Sequence, residues 1–237
     1  MKEITIPEGN ASNAECLTIS FQNEVNLLSK LRHPNIIDYH KARENKNKLE
    51  IYMEYLPGGC LSSVIKEFGK LKKSLIIKYT RDIARVLVYL HGSGMVHRDV
   101  KCSNVLLDKV GTIKLADFGS GANLRMRGLN LAGSLTLVES NLCDSIKGSL
   151  SWMPPEVLFG DKYGRRVDVW SLGCMVFEMA TSKHPWYWLK NLNELATELE
   201  THKTLDLTRD EIDSDIQSFI EYCCQYDRNS RPASSQL

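Results

Sequence analysis

Two short polar runs, separated by a small apolar hairpin, constrain this 237-residue chain more than any other feature in it. The first is His97-Arg98-Asp99-Val100-Lys101-Cys102-Ser103-Asn104; the second is Asp117-Phe118-Gly119. Between them, Asn104 to Leu107 and Thr112 to Leu115 read as two short strands joined by a turn through Asp108 and Gly111. Such a hairpin puts Asn104 and Asp117 at its two outer ends, on the same side. Each piece is weak alone, because an Asp-Phe-Gly by chance is simply a turn. The order and spacing make the set specific.

That set fits magnesium-dependent phosphoryl transfer. Asp99 can orient an attacking hydroxyl and accept its proton, and Lys101 can neutralise the γ-phosphate of ATP as charge develops on it. Asn104 and Asp117 offer the oxygen ligands that Mg²⁺ takes, an ion that uses few protein ligands and completes its shell with phosphates and water. Taken singly, each residue also has a bland reading: Asp99 as the cap of the next turn, Asn104 and Asp117 as turn formers.

Composition narrows the class. Thirty basic residues against twenty-nine acidic ones leave no net field to draw in nucleic acid or an anionic membrane. No apolar run reaches the length of a membrane span, and no signal-peptide pattern opens the chain. Seven scattered cysteines, an odd number, read as reduced thiols in a cytosolic or nuclear compartment. The pair Cys223-Cys224 lacks the spacing of a zinc site.

The rest of the chain supplies a scaffold. Residues 19–31 carry Val25, Leu27, Leu28 and Leu31 in a helical rhythm that His33-Pro34-Asn35 ends. Ile36 to Ala42 and Lys48 to Met53 read as strands around the turn Glu44-Asn45-Lys46-Asn47, and Pro57-Gly58-Gly59 as a hinge. Ile76, Ile83, Leu87 and Leu90 share one face of a long helix. Val167 to Met179 is apolar almost all round, which predicts a buried central helix. Tyr187 to Gln217 is more polar, and Asp215 to Cys224 returns to a helical pattern.

With these residues placed, the chain resembles a eukaryotic protein kinase over essentially its whole length. Lys101, two residues after the proposed base, is the form seen in serine/threonine kinases. Trp152-Met153-Pro154-Pro155-Glu156 is similar to the family's Ala-Pro-Glu segment, with Pro154 in place of the alanine. Asp168-Val169-Trp170-Ser171-Leu172-Gly173 is similar to the buried helix that supports the catalytic loop, and Arg231 to the arginine that pairs with Glu156. The wording around Leu31-Arg32-His33-Pro34-Asn35-Ile36 resembles the MAP kinase kinase kinase branch.

The resemblance implies an α+β, two-lobed fold. Residues 1–56 would form a partial, β-rich small lobe and residues 57–237 a larger, mainly helical lobe. It also implies that Lys2, on a first strand at Met1 to Ile4, holds the α- and β-phosphates with Glu24 as its partner. The strands and glycine-rich loop that the family places before that lysine are expected to be missing, and the chain to stop short at its other end. Met53 would back the adenine pocket, backbone groups of Glu54 and Leu56 would bond the adenine edge, and Leu106 would form the floor. Cys60, at the start of the next helix, would lie near the ribose with a lowered thiol pKa. His97 and Phe118 would pack with Leu28. Arg98 would pair with a phosphate on the segment after Asp117, where Ser134, Thr136, Ser140 and Ser145 are candidates; Ser149 matches a structural hydroxyl near bound substrate.

The expected activity is transfer of the γ-phosphate of ATP to a protein hydroxyl. The expected substrate is a protein, in the MAP kinase kinase kinase case a downstream MAP kinase kinase. A second expectation is a pseudokinase or scaffold with weak or no turnover, on account of the missing glycine-rich loop. A small-molecule kinase of the aminoglycoside-phosphotransferase kind is disfavoured by Lys101, the Pro-Pro-Glu segment and the Asp168–Gly173 helix.

Overall fold

In the computed structural model, which describes residues 2–5, 11–45, 48–118, 122–123, 149–161 and 163–237, a three-stranded antiparallel sheet forms the amino-terminal layer. Strands β1 (Lys2–Thr5) and β2 (Tyr39–Asn45) flank the central β3 (Lys48–Met53). Lys2 faces Ile51 in the register of β1 with β3, and Asn45 faces Lys48 in that of β2. Leu49 and Ile51, two apart on β3, are fully buried because alternate residues of a strand point to one face.

Helix α1 (Ala11–Leu28) buries Phe21, Glu24 and Leu28, spaced three and four apart on one face. It ends in a tightened turn, with Leu31 N–H donating to Leu28 C=O at 3.3 Å. The helix thus starts earlier than the expected Ile19 and stops before the expected Leu31, which is buried but not helical. Strand β2 likewise begins at Tyr39 rather than Ile36, because Ile36 is used elsewhere, bridging to Leu115. Glu44 and Asn45 belong to β2 instead of to the turn.

At Gly58, in the segment expected to be a hinge, the backbone packs closely against that of Leu107. Gly58 N–H donates to Leu107 C=O at 3.0 Å, and a Cβ on Gly58 would lie 2.8 Å from both Leu107 Cβ and its carbonyl oxygen. Only glycine lets the two backbones approach this closely.

The helical part is built on α2 (Leu61–Phe68), α3 (Lys73–Gly92), α4 (Pro155–Leu158), α5 (Arg166–Thr181), α6 (Leu192–His202) and α7 (Ser214–Cys223). Helix α3 buries Ile76, Ile83, Leu87 and Leu90, the face its periodicity predicts. Helix α5 is buried from Val167 through Thr181, as expected of a helix apolar all round. It crosses α7 closely at Gly173, where a Cβ would meet Cys224 Sγ at 2.6 Å and Cys223 Cβ at 2.7 Å. In the polar stretch that sequence could not divide, α6 starts where the Asn191 side chain accepts the Glu194 N–H at 2.9 Å.

Three short pieces complete the frame of the site. Strand β4 (Met95–Val96) pairs with β7 (Ala122–Asn123), and β5 (Val105–Leu107) pairs with β6 (Ile113–Leu115). The β5–β6 turn is fastened by Asp108 Oδ1, which accepts N–H groups from Val110 and Thr112 at 2.8 Å each.

Candidate active site

The turn Cys102–Asn104 and the end of β6 are tied to each other by Ala116 N–H donating to Asn104 C=O at 2.8 Å. The hairpin therefore carries the Asp99–Asn104 loop at one end and Asp117 at the other, as its sequence predicts. Within the loop, Lys101 Nζ lies 2.9 Å from Asp99 Oδ1 and 2.8 Å from Oδ2. Asn104 Nδ2 donates to Asp99 Oδ2 at 2.7 Å and to the Asp99 carbonyl at 2.8 Å. Asp99, Lys101 and Asn104 are thus brought into direct contact, with the acid oriented by its two neighbours.

Lys2, on β1, bonds to Asp117 at the other end of the hairpin. Its Nζ sits 2.9 and 2.8 Å from the two oxygens of Glu24 and 2.9 Å from Asp117 Oδ1. Burial alone would lower the Lys2 pKa, but the hydrogen bonds to Glu24 and Asp117 outweigh it and raise it, so the ammonium stays charged. Glu24, almost wholly buried on α1, has its carboxyl pushed upward by that burial and held back by Lys2. Asp117 takes a left-handed backbone, φ 62°, an uncommon conformation for a residue with a side chain.

The oxygen donors suit a hard divalent cation. With both amide hydrogens of Asn104 engaged by Asp99, its side-chain oxygen is the atom left to ligate. The described residues contain no cluster of three or more His, Cys, Asp and Glu that could hold a metal ion. Asn104 and Asp117 fit an ion that binds mainly phosphate and water.

Support for the loop comes from Asp168 at the first turn of α5. Its Oδ2 accepts His97 N–H at 2.9 Å and its Oδ1 accepts Arg98 N–H at 2.7 Å. These bonds hold Arg98 at φ 71°, a strained position for a residue with a side chain. His91 Nε2 lies 2.8 Å from Asp168 Oδ2, and His91 Nδ1 lies 2.9 Å from Ser234 Oγ. Sequence reasoning passed over His91, although it falls four residues after Leu87 on the buried face of α3.

His97 and Phe118 pack edge to face with ring centroids 4.7 Å apart, and with Leu28 both are buried, as expected. Burial lowers the His97 pKa, and the ring is neutral: Nε2 donates to Ala116 C=O at 3.1 Å and Nδ1 accepts Asp99 N–H at 3.3 Å. The Arg98 guanidinium lies over the Tyr163 ring, 5.2 Å from its centroid. The four candidate phosphosites, Ser134, Thr136, Ser140 and Ser145, lie outside the described residues. So does the side chain of Ser149, whose backbone opens the short turn Ser149–Trp152.

At the hinge, Met53 ends β3 half-buried. Glu54 N–H donates to Asp38 C=O at 2.9 Å, leaving its carbonyl for a ligand edge, and the Leu56 carbonyl accepts Gly59 N–H at 3.4 Å, leaving its N–H. Cys60 and Leu106 are neighbours through an antiparallel bridge. Partial burial would raise the Cys60 thiol pKa, but hydrogen bonding with Ser62 and Ser63 outweighs it and the net shift is downward. Sequence reasoning also missed the brace beneath the hinge. Lys114 Nζ lies 2.5 Å from Glu54 Oε1 and 3.1 Å from Asp38 Oδ2, and Asp38 N–H donates to Glu54 Oε1 at 2.7 Å.

Comparison with known proteins agrees with this geometry. Residues 2–237 match the family model described as protein kinase domain. The chain is 37% identical over 238 residues to mitogen-activated protein kinase kinase kinase 3 of Arabidopsis thaliana, covering all of this chain and 37% of that protein. It is 38% identical over 240 residues to mitogen-activated protein kinase kinase kinase 19 of Homo sapiens, covering all of this chain and 17% of that one. Mitogen-activated protein kinase kinase kinase A of Dictyostelium discoideum is 31% identical over 241 residues, with 24% of its length covered. The chain spans well under half the length of these curated relatives. The match to the family model over residues 2–237 places this chain in the protein kinase family.

Proposed function

We propose that the chain is an ATP-dependent protein serine/threonine kinase whose two lobes, residues 1–56 and 57–237, meet at the segment after Leu56. The observation that carries this reading is the double bridge of Lys2 Nζ to Glu24 and Asp117, beside an Asp99 already oriented by Lys101 and Asn104. Lys2 is held charged where the α- and β-phosphates of ATP would lie, and Asp99 accepts the hydrogen of an incoming hydroxyl and aligns its oxygen. Lys101 sits close enough to that acid to offset charge on the transferred phosphoryl group. Magnesium, held by the oxygens of Asn104 and Asp117, would neutralise the phosphates when bound. The Glu54 carbonyl and Leu56 N–H would bond the adenine edge, with Met53 behind it, Leu106 beneath and Cys60 near the ribose.

The relatives' names support a further step, that the acceptor is a hydroxyl on a MAP kinase kinase. No helix among the described residues is long and apolar enough to cross a membrane, and the reduced-thiol pattern favours the cytoplasm, with the nucleus open to it as well. The test is incubation with magnesium, radiolabelled ATP and inactive MAP kinase kinases. Label on serine or threonine of the acceptor, absent with Asp99→Asn, is expected. Magnesium-ATP binding with no transfer to any acceptor would overturn the reading.

A further inference from the structure

A concavity of about 820 Å³ opens where the end of α3, the start of α5 and residues 228–235 meet. No residue assigned above to the nucleotide, the metal or the hydroxyl lines it. Its volume is within the range of small-ligand pockets, roughly 300 to 1,000 Å³. Val88, Gly92 and Val169 give it apolar wall, and Arg165, Arg166 and Arg228 all line it.

Among the described residues, none of the guanidinium groups of Arg165, Arg166 and Arg228 takes part in a salt bridge, whereas the neighbouring Arg231 is paired with Glu156. Glu156 is, among the described residues, the single carboxylate in the lining, and both its oxygens are engaged by Arg231 at 2.7 Å. Asp227 feels the charge of the adjacent Arg228 without an ion pair to it, and its oxygens accept Asn229 N–H at 3.0 Å and Ser230 O–H at 3.2 Å. His91, also in the lining, is bonded through both ring nitrogens to Ser234 and Asp168.

With thirty basic and twenty-nine acidic residues the chain has almost no net charge, so a concavity lined by Arg165, Arg166 and Arg228 is a local excess. Apolar walls focus such a field. The guanidinium fork matches the oxygens of a phosphate two at a time, and a phosphomonoester at neutral pH carries ~1.5 to 2 negative charges against about one for a carboxylate.

We propose that this cavity is a binding site for a phosphomonoester, carried either on a phosphorylated protein side chain or on a small phosphorylated molecule. The test measures binding of three probes to the full-length protein by calorimetry: a phosphothreonine octapeptide, the same peptide with glutamate at that position, and phenyl phosphate. Each is measured with the intact protein and with Arg165→Gln/Arg228→Gln, the nucleotide cleft being filled throughout by a non-hydrolysable ATP analogue. Because charge-assisted bonds to two arginines are removed, the phosphothreonine peptide should bind the variant at least about tenfold more weakly, with affinity for the ATP analogue unchanged. Tighter binding of the peptide than of phenyl phosphate would assign the site to a phosphoprotein, and equal binding to a small molecule. Equal binding of the glutamate peptide, or phosphate binding insensitive to both substitutions, would overturn the proposal. A variant that unfolds would be replaced by Arg165→Lys/Arg228→Lys, which keeps the charge, loses the fork and should still bind phosphate more weakly; undiminished binding there also overturns it.

Discussion

Arg231 and Glu156, 75 residues apart in the chain, form a two-pronged buried ion pair, Nη1 to Oε1 and Nη2 to Oε2 both at 2.7 Å. The guanidinium is further held by the carbonyls of Gln225 at 2.7 Å and Tyr226 at 3.2 Å, and lies over the Trp170 ring. The pair thereby clamps the segment that ends in α4 against α5 and the end of α7. Removing one partner leaves a buried charge without its counterpart, which costs about 3 to 5 kcal/mol. Glu156→Ala should lower stability by that amount in urea unfolding, and Glu156→Gln, which keeps one acceptor, by less. An unchanged midpoint for the alanine variant would contradict the clamp.

Asp99 accepts bonds from Lys101 and Asn104 through its carboxylate, whereas Lys2 is bonded to Glu24 and Asp117. Asp99→Asn should therefore leave nucleotide affinity within a few-fold of the parent while phosphate transfer falls by a factor of about 10² to 10⁴, the usual contribution of a positioned general base. Calorimetry with an ATP analogue and a single-turnover assay separate the two effects. Transfer at the parental rate would remove Asp99 from its proposed role.

The candidate reacting groups were legible as a set because the chemistry proposed for them demands particular side chains at fixed spacing. Asp99, Lys101 and Asn104 lie within six positions, and a hairpin as short as β5–β6 leaves Asp117 little choice of where to emerge. The same is true of α5, whose apolar circumference leaves no face for water. What could not be read was anything assembled from ordinary-looking charges far apart in the chain. Asp38, Glu54 and Lys114 each look like solvated surface residues, and only folding brings them within hydrogen-bond distance. The start of α1 was hidden because Ala11 to Thr18 mixes polar and small residues with no apolar rhythm.

Asp168 acts through the loop that it holds. Its two oxygens accept the N–H groups of His97 and Arg98 at 2.9 and 2.7 Å, with His91 at 2.8 Å. Asparagine has one acceptor oxygen and would turn a donor toward a donor at the other position. The left-handed Arg98 should then relax, displacing Asp99 one residue on. Asp168→Asn is expected to reduce kcat at least about tenfold with KM for ATP nearly constant, since the nucleotide contacts come from other elements. A rise in KM with kcat unchanged would argue against this positioning role.

Cys60 is the half-exposed thiol among the cysteines described, and hydrogen bonding with Ser62 at 3.3 Å and Ser63 at 3.0 Å favours its thiolate. Cys102, Cys174 and Cys223 are driven the other way, their thiol pKa values raised by burial. Iodoacetamide at neutral pH should label Cys60 well before those three, as read by peptide mass spectrometry, and ATP should slow the reaction. Ser63→Ala should slow it as well by removing one of the bonds. Equal labelling of the buried thiols would refute the assignment.

His97 supplies a pH dependence whose sign is fixed by its bonds. Its Nδ1 accepts the Asp99 N–H and its Nε2 donates to Ala116 C=O, so a second ring proton would face a donor inside the core. Burial thus depresses the folded-state pKa below the ordinary histidine value of 6.5. Between that depressed value and 6.5 the unfolded chain binds the proton and the folded one does not. Stability from this group is accordingly present above about pH 6.5 and lost as pH falls toward the folded pKa, at up to about 1.4 kcal/mol per pH unit. Urea unfolding from pH 7.5 to 5 should show a steeper loss in the parent than in His97→Phe, which cannot titrate. If that variant does not fold, an NMR titration of the His97 ring in the parent should show it still neutral at pH 6. Protonation of the folded ring at an ordinary pKa would break the link between this histidine and the loop that carries Asp99.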